Sequence, residues 1–203
     1  MNKTLTLLLS LSFLLLFSSF AYCEEPVDKQ YWDNGKLKWE TYYDEKQEKV
    51  LGVGWYKSGK KEVEVHYINS QEGEQSSLKE DGKLSTWYEN GNRKAVGVFK
   101  NGQREGLETT WYESGKKWSE SNYKNGKRDG LTTAWYESGG KIEEYNYKNG
   151  ELDGEQTKWY GSGRKQTTRQ YKNGKEDGIR IEWDEDGKQT FQGNFIDGVE
   201  KIK

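Results

Sequence analysis

One stretch, Trp111 to Ala134, constrains this chain more than any other, because it returns almost unchanged at a fixed step of 24 residues. Trp87-Tyr88, Trp111-Tyr112, Trp135-Tyr136 and Trp159-Tyr160 mark successive copies, and Trp183 takes the next place with Asp184 where Tyr would stand. Each copy also carries Gly four places after the Trp, an aromatic residue at twelve (Phe99, Tyr123, Tyr147, Tyr171, Phe195) and a further glycine at fifteen, and the first four add one at nineteen (Gly106, Gly130, Gly154, Gly178). A period of this length encodes a repeat array in which each unit packs mainly against its neighbours.

Within a unit the pattern is that of two strands and two turns. In Leu107 to Tyr112 the residues Leu107, Thr109 and Trp111 fall on one face of a strand, and Glu108, Thr110 and Tyr112 on the other. Ser119, Ser121 and Tyr123 share a face in the strand that follows. Glu113 to Lys116 forms the first turn and Lys124-Asn125-Gly126-Lys127 the second, where Asn-Gly supplies the positive φ of a tight hairpin. The glycine of Arg128-Asp129-Gly130 marks a bulge or bend. The expected fold is therefore all-β: an elongated single-layer antiparallel β-meander or solenoid of hairpin repeats. About fourteen strands would span roughly 65 Å, with the Trp stripe on one concave side.

The organisation reads as a signal peptide over residues 1–23, a polar leader over 24–30, and seven repeats at 31–54, 55–86, 87–110, 111–134, 135–158, 159–182 and 183–203. The second unit is eight residues longer than the period, and the insertion is placed within Glu74 to Asp81. Lys3, the apolar run Leu5 to Phe17 and the small-residue exit Ser18 to Ala21 have the layout of a secretory signal. The run is shorter than the about 20 residues that span a bilayer. Cleavage after Ala21 and cleavage after Cys23 both satisfy the small-residue rule, and the bulky Tyr22 argues against a lipoprotein signal. The chain is expected in a secreted or extracytoplasmic location, periplasm or cell surface, with no transmembrane segment in its mature part.

Only 31% of residues are hydrophobic and 33% are charged, which excludes a thick globular core, while 9 Trp, 14 Tyr and 6 Phe are too many aromatics for a disordered chain. Lysine and arginine total 32 against 34 acids, interspersed, with a formal net charge of −2. That distribution gives no basic footprint for nucleic acid. Cys23 is the only cysteine, so no internal disulfide forms.

Tyr123-Lys124-Asn125-Gly126-Lys127-Arg128-Asp129-Gly130-Leu131, followed by Trp135-Tyr136 and Gly139, resembles the variant class of MORN (membrane occupation and recognition nexus) repeats, and Tyr147 to Gly154 and Tyr171 to Gly178 match nearly as well. The resemblance covers roughly Tyr31 to Lys203. It implies a label often given to bacterial chains of this kind, the YwqK-type antitoxin family, although a secreted location sits awkwardly with a cytoplasmic antitoxin. In eukaryotic relatives the repeat is associated with lipid contact and protein scaffolding, yet this chain shows no basic stripe for anionic head groups.

The Trp ladder (Trp55, Trp87, Trp111, Trp135, Trp159, Trp183) is expected to fill the apolar face of the sheet beside Leu107, Leu131 and Ile179. The Tyr ladder (Tyr56, Tyr88, Tyr112, Tyr136, Tyr160) is the candidate partner-binding face, weighed against a structural role as cross-strand pairs. The recurring acids Glu105, Asp129, Asp153 and Asp177 read as turn residues, one per turn and too few for calcium. His66 is the only histidine, and no phosphate-binding loop or nucleophile pair is present, so neither a catalytic nor a metal site nor any cofactor is expected. Two functions remain: a secreted, non-enzymatic scaffold for a protein partner, or a cell-wall or glycan-binding module using exposed Trp and Tyr rings.

Overall fold

The structure, a computed structural model, describes residues 25–72 and 75–201. The signal-peptide reading of residues 1–23 and residue 24 of the leader lie outside them. Among the described residues every regular element is a strand: β1 (Asp28–Tyr31), β2 (Leu37–Tyr43), β3 (Lys49–Trp55), β4 (Lys61–Glu72), β5 (Gln75–Trp87), β6 (Arg93–Lys100), β7 (Gln103–Trp111) and β8 (Lys117–Lys124). The series continues with β9 (Lys127–Trp135), β10 (Lys141–Lys148), β11 (Glu151–Trp159), β12 (Lys165–Lys172), β13 (Lys175–Glu176), β14 (Gly178–Trp183), β15 (Gln189–Ile196) and β16 (Val199–Glu200). They form one antiparallel sheet in which strands follow one another in chain order, with β13 paired to β12 beside the main path. Strands at ~4.8 Å spacing make this a ribbon about 70 Å long.

The all-β single-layer meander expected from the period is the fold observed. The strand count is 16 rather than about fourteen. Asp177 donates its backbone N–H to Gln170 and interrupts the ladder, which splits one strand into β13 and β14. Among the described residues the sheet also begins and ends in the short strands β1 and β16.

The turn chemistry follows the reading closely. Asn125 and Gly126 have φ of 50° and 77°, as a type I′ hairpin requires, and Asn101, Asn149 and Asn173 repeat it at 50°, 52° and 48°. Gly130, at φ 105°, lies where the β8–β9 register shifts between Ser121 and Tyr123. A second irregularity falls at the other end of each unit, where Trp111 pairs with Lys117 and leaves Trp118 as the extra residue.

The insertion does not form a loop confined to Glu74–Asp81. It lengthens a hairpin on both sides: Asn69 pairs with Leu78, Ser70 with Ser77, Gln71 with Ser76 and Glu72 with Gln75, ahead of the Val65–Leu84 register shared with the other units.

Register assigns the faces. Thr109, Glu120, Thr133, Glu144, Thr157, Thr168 and Ile181 are successive cross-strand partners on one face, which also carries Trp111, Trp135, Leu107 and Leu131 by alternation. Glu108, Ser121, Thr132, Tyr145, Gln156 and Arg169 form the matching row on the other face. They are called below the tryptophan face and the arginine face.

With no second layer among the described residues, a side chain is buried only by its neighbours in the same sheet. The most buried residues are accordingly short ones in mid-strand, flanked by longer ones: Ser121, Thr132, Thr133, Thr157 and Thr167, with Val50, Val53, Val65 and Phe195 as the apolar members. This corrects the expectation of a filled apolar face. Leu107, Leu131 and Ile179 are 48%, 44% and 51% exposed, and the ladder tryptophans are only half-buried. An open sheet offers nothing to cover them.

Candidate functional site

Two long edges and two faces are available in such a ribbon, and most of the periodic polar residues are committed to holding repeats together. At the tryptophan end, each Tyr of the ladder sits in the loop just past its strand. There its hydroxyl donates to the backbone carbonyl of the Trp one repeat on: Tyr56 to Trp87 at 2.7 Å, Tyr88 to Trp111 at 2.8 Å, Tyr112 to Trp135 at 2.7 Å, Tyr136 to Trp159 at 3.4 Å and Tyr160 to Trp183 at 2.7 Å. The rings are half-buried. Burial, and after it neighbouring glutamates, raises the pKa of Tyr56 and Tyr112. At the first unit the indole N–H of Trp32 donates to the Trp55 carbonyl at 3.0 Å and does the same job. At the last, Asp184 replaces Tyr and accepts from the backbone N–H groups of its own loop, Lys188 at 2.9 Å and Asp186 at 3.1 Å. The tyrosine ladder therefore closes at Asp184, which bonds within its own loop.

At the opposite edge the turn acids reach across repeats. Asp81 accepts from the backbone N–H of Asn101 at 3.0 Å, Glu105 from Asn125 at 2.8 Å, Asp129 from Asn149 at 3.0 Å and Asp153 from Asn173 at 3.4 Å. The neighbouring glycine of each turn donates backbone to backbone, as Gly126 does to Arg104 and Gly150 to Arg128, at 2.9 and 2.8 Å. These acids do more than favour a turn locally. The sequence signal for it was there, an acid placed 20 residues before the Asn-Gly of these four turns, at 101, 125, 149 and 173, but the period of 24 hid it.

On the tryptophan face the lysine six places into a unit lies over the Trp of the next: Lys61 over Trp87 at 5.3 Å, Lys117 over Trp135 at 5.2 Å and Lys141 over Trp159 at 5.5 Å. The same lysines pair with the glutamate three residues on, Lys61–Glu64 at 2.9 Å, Lys117–Glu120 at 2.7 Å and Lys141–Glu144 at 2.6 Å. These lysines are thus matched within the face, whereas the carboxylate of Glu155, at the repeat position of Leu131, accepts only from Thr157 and Gln170 among the described residues. The exposed Leu107, Leu131 and Ile179 lie beside it, together with Trp118, which is 49% exposed and 6.4 Å from the Tyr112 ring.

The arginine face holds residues that periodicity alone did not single out. The aromatic at position twelve lies between the glycine of the preceding unit and the residue five places on in its own, so that Tyr123 pairs with Gly106 and Arg128. Arg104 lies between Phe99 and Tyr123, at 5.9 and 5.3 Å from their centroids, and Arg180 between Phe191 and Phe195, at 5.3 and 5.7 Å. Arg128 stacks on Tyr147 at 5.4 Å. The signal that could have found them is an arginine five places after the aromatic, in Phe99–Arg104 and Tyr123–Arg128.

His66 is half-buried, and desolvation first of all lowers its pKa. It covers Gly82, whose Cβ, if present, would lie 3.2 Å from the His66 Cβ. Among the described residues no group of three or more His, Cys, Asp or Glu is arranged to hold a metal, and no helix is long and apolar enough to cross a membrane.

The MORN repeat variant family model matches three consecutive segments of the chain, residues 80–101, 104–125 and 128–149. Each matched segment contains one whole clasp, Asp81 to Asn101, Glu105 to Asn125 and Asp129 to Asn149. No curated protein matches the chain.

Proposed function

We propose that the chain is a secreted, non-enzymatic repeat scaffold that docks a protein partner along its tryptophan face. MORN repeats are generally protein-interaction or scaffold modules, and their family is typically non-catalytic. The observation that carries the reading is the row of Leu107, Leu131 and Ile179, each 44–51% exposed and interrupted only by Glu155 at the same repeat position, beside half-buried indoles whose overlying Lys117 and Lys141 are paired to glutamates. Such a surface gains by losing water and loses little by desolvating charge. The Tyr56, Tyr88, Tyr112, Tyr136 and Tyr160 rings would border this surface, their hydroxyls committed and their ring faces offering contact area. The apolar run Leu5 to Phe17 supports export. A toxin-type partner, as the YwqK-type label suggests, is one specific form of the same reading.

The test is capture from native envelope fractions with the wild-type chain and with a Leu131→Asp, Ile179→Asp double variant. A protein retained by the first and lost with the second is the expected result. Identical capture by both, or none across a range of salt, would overturn the docking face. Export is checked by fractionation and by the N-terminal sequence of the released chain, expected to begin after Ala21 or after Cys23.

A second reading rests on Trp118 beside Tyr112, an exposed indole next to a phenol, a pairing on which a sugar ring can stack. Retention on cell-wall polysaccharide that is abolished by Trp118→Ala would favour it over the protein partner.

A further inference from the structure

On the arginine face, the arginines held by aromatic rings have carboxylates of their own, with one exception. The Nε of Arg104 lies 3.1 Å from a Glu108 carboxylate oxygen, four residues on in the same strand. Arg180 donates through Nε to Glu182 at 2.9 Å, and Arg169 lies 2.9 Å from Glu176. Arg128 stands one repeat after Arg104, at the same place in its unit, and the position that Glu108 fills for Arg104 is Thr132 for Arg128. Thr132 carries no charge, and its buried hydroxyl has no hydrogen-bond partner among the described residues. None of the described carboxylates lies within ion-pair distance of Arg128.

What surrounds Arg128 is aromatic. Its guanidinium stacks on Tyr147 at 5.4 Å, and one Nη donates to the Tyr147 hydroxyl at 3.4 Å. The Tyr123 hydroxyl on the other side is the largest influence on its pKa and raises it. The side chain as a whole is exposed. Stacking fixes the plane of the guanidinium, and a fixed plane presents its remaining N–H donors in the fork that fits a carboxylate. Less ordering entropy is then lost when a carboxylate arrives.

We propose that Arg128, framed by Tyr123 and Tyr147, is a recognition point for an acidic side chain of a protein partner. The occupant is argued from the chain itself: at Arg104 the same stacked guanidinium, in the same place in its unit, is satisfied by a glutamate, Glu108. A glutamate or aspartate from a second protein supplies to Arg128 what Glu108 supplies to Arg104. The site lies on the face opposite the proposed docking surface, so it stands or falls separately from that reading.

The test uses the full mature chain, labelled with ¹⁵N and titrated with the capped peptide Thr-Glu-Thr-Glu-Thr, with Thr-Gln-Thr-Gln-Thr and with inorganic phosphate. The Glu peptide is expected to shift the Arg128 Nε–Hε signal. Arg128→Gln should weaken its binding by about tenfold or more, the size expected for losing one charge-assisted hydrogen bond. Thr132→Glu, which brings the Arg104–Glu108 pairing into this repeat, should also abolish binding while leaving the melting midpoint unchanged or higher. The second variant keeps the test valid if the first disturbs the fold. Equal binding by wild type and both variants, equal binding of the Gln peptide, saturation by phosphate at lower concentration than the Glu peptide, or no shift with any probe would each overturn the proposal.

Discussion

The hydroxyl of Tyr112 donates to the backbone carbonyl of Trp135 across 2.7 Å and one full repeat. With no second layer among the described residues, contacts of this kind, together with the strand ladders, join one unit to the next. Tyr112→Phe keeps the ring and removes the bond. It is expected to cost about 1 kcal/mol, the usual net worth of one such bond. The loss should appear as a weakened junction between the fourth and fifth units, read as faster amide exchange around Trp135 and Tyr136. An unchanged exchange pattern would show that the strand ladder alone carries the junction.

Asp129 makes the corresponding contact at the other edge, accepting from the Asn149 amide at 3.0 Å. Its position is solvent-facing, so the bond is screened, and Asp129→Ala is expected to cost only about 0.5–1 kcal/mol. The local effect is larger than the global one: exchange of the Asn149 amide should speed up well beyond that of its neighbours. Asp153, which holds Asn173 at the longer 3.4 Å, should show the smaller response of the two.

Two glycines in extended backbone predict opposite outcomes for the same substitution. A Cβ on Gly52 would lie 2.3 Å from Trp39 Cζ2, because the indole of Trp39 lies flat across Gly52 and Gly54. Gly52→Ala is therefore expected to destabilise by about 1–3 kcal/mol through overpacking. At Gly97 a Cβ meets only the Glu108 side chain at 3.6 Å, an ordinary contact. Gly97→Ala should be neutral or stabilising by up to about 1 kcal/mol, through the lower entropy of its unfolded chain. Thermal melts of the pair decide the matter, and a Gly52→Ala midpoint equal to wild type would contradict the packing of Trp39.

Alkaline pH should loosen the array. Burial first, and then the hydrogen bond to Glu40, pushes Tyr42 up to about 12. Burial first, and then Glu143, raises Tyr145 as well. The unfolded chain loses these protons near pH 10, before the folded chain does. Stability contributed by the protonated phenols is thus complete below about pH 10 and is lost as pH rises through the folded values. The melting midpoint should fall steeply between about pH 10 and 12, and Tyr145→Phe should flatten part of that slope. Phenolate absorbance should show some tyrosines ionising late. A single transition centred near pH 10, with no fall in midpoint beyond it, would contradict the burial of both hydroxyls.

Much of the scaffold was legible in the residues. The alternation of Leu107, Thr109 and Trp111, the Asn125-Gly126 turn and the bulge glycine Gly130 depend on local geometry, and each is found as read. The candidate site was less legible. The Tyr ladder could be seen, but its hydroxyls turn out to be committed to carbonyls 23 residues on, or 31 for Tyr56. The turn acids looked purely local, whereas their carboxylates serve the next repeat. The eight extra residues of the second unit could be counted but not placed, since lengthening both strands of a hairpin and looping out one segment leave the same trace in the sequence.

By itself the sequence determined the period, the strand-and-turn alternation and the tight Asn-Gly turns, because φ preferences and side-chain parity act over a few residues. Only the tertiary structure decided that no second layer of the described residues covers Leu107, Leu131 and Ile179, that Tyr112 is tied to Trp135, and that Arg128 stacks on Tyr147 with no described carboxylate at ion-pair distance. Those outcomes depend on which strands lie side by side and on what, if anything, lies above them. Neighbours about 20 residues apart in the chain meet only once the sheet has formed, and no local pattern encodes what it leaves uncovered.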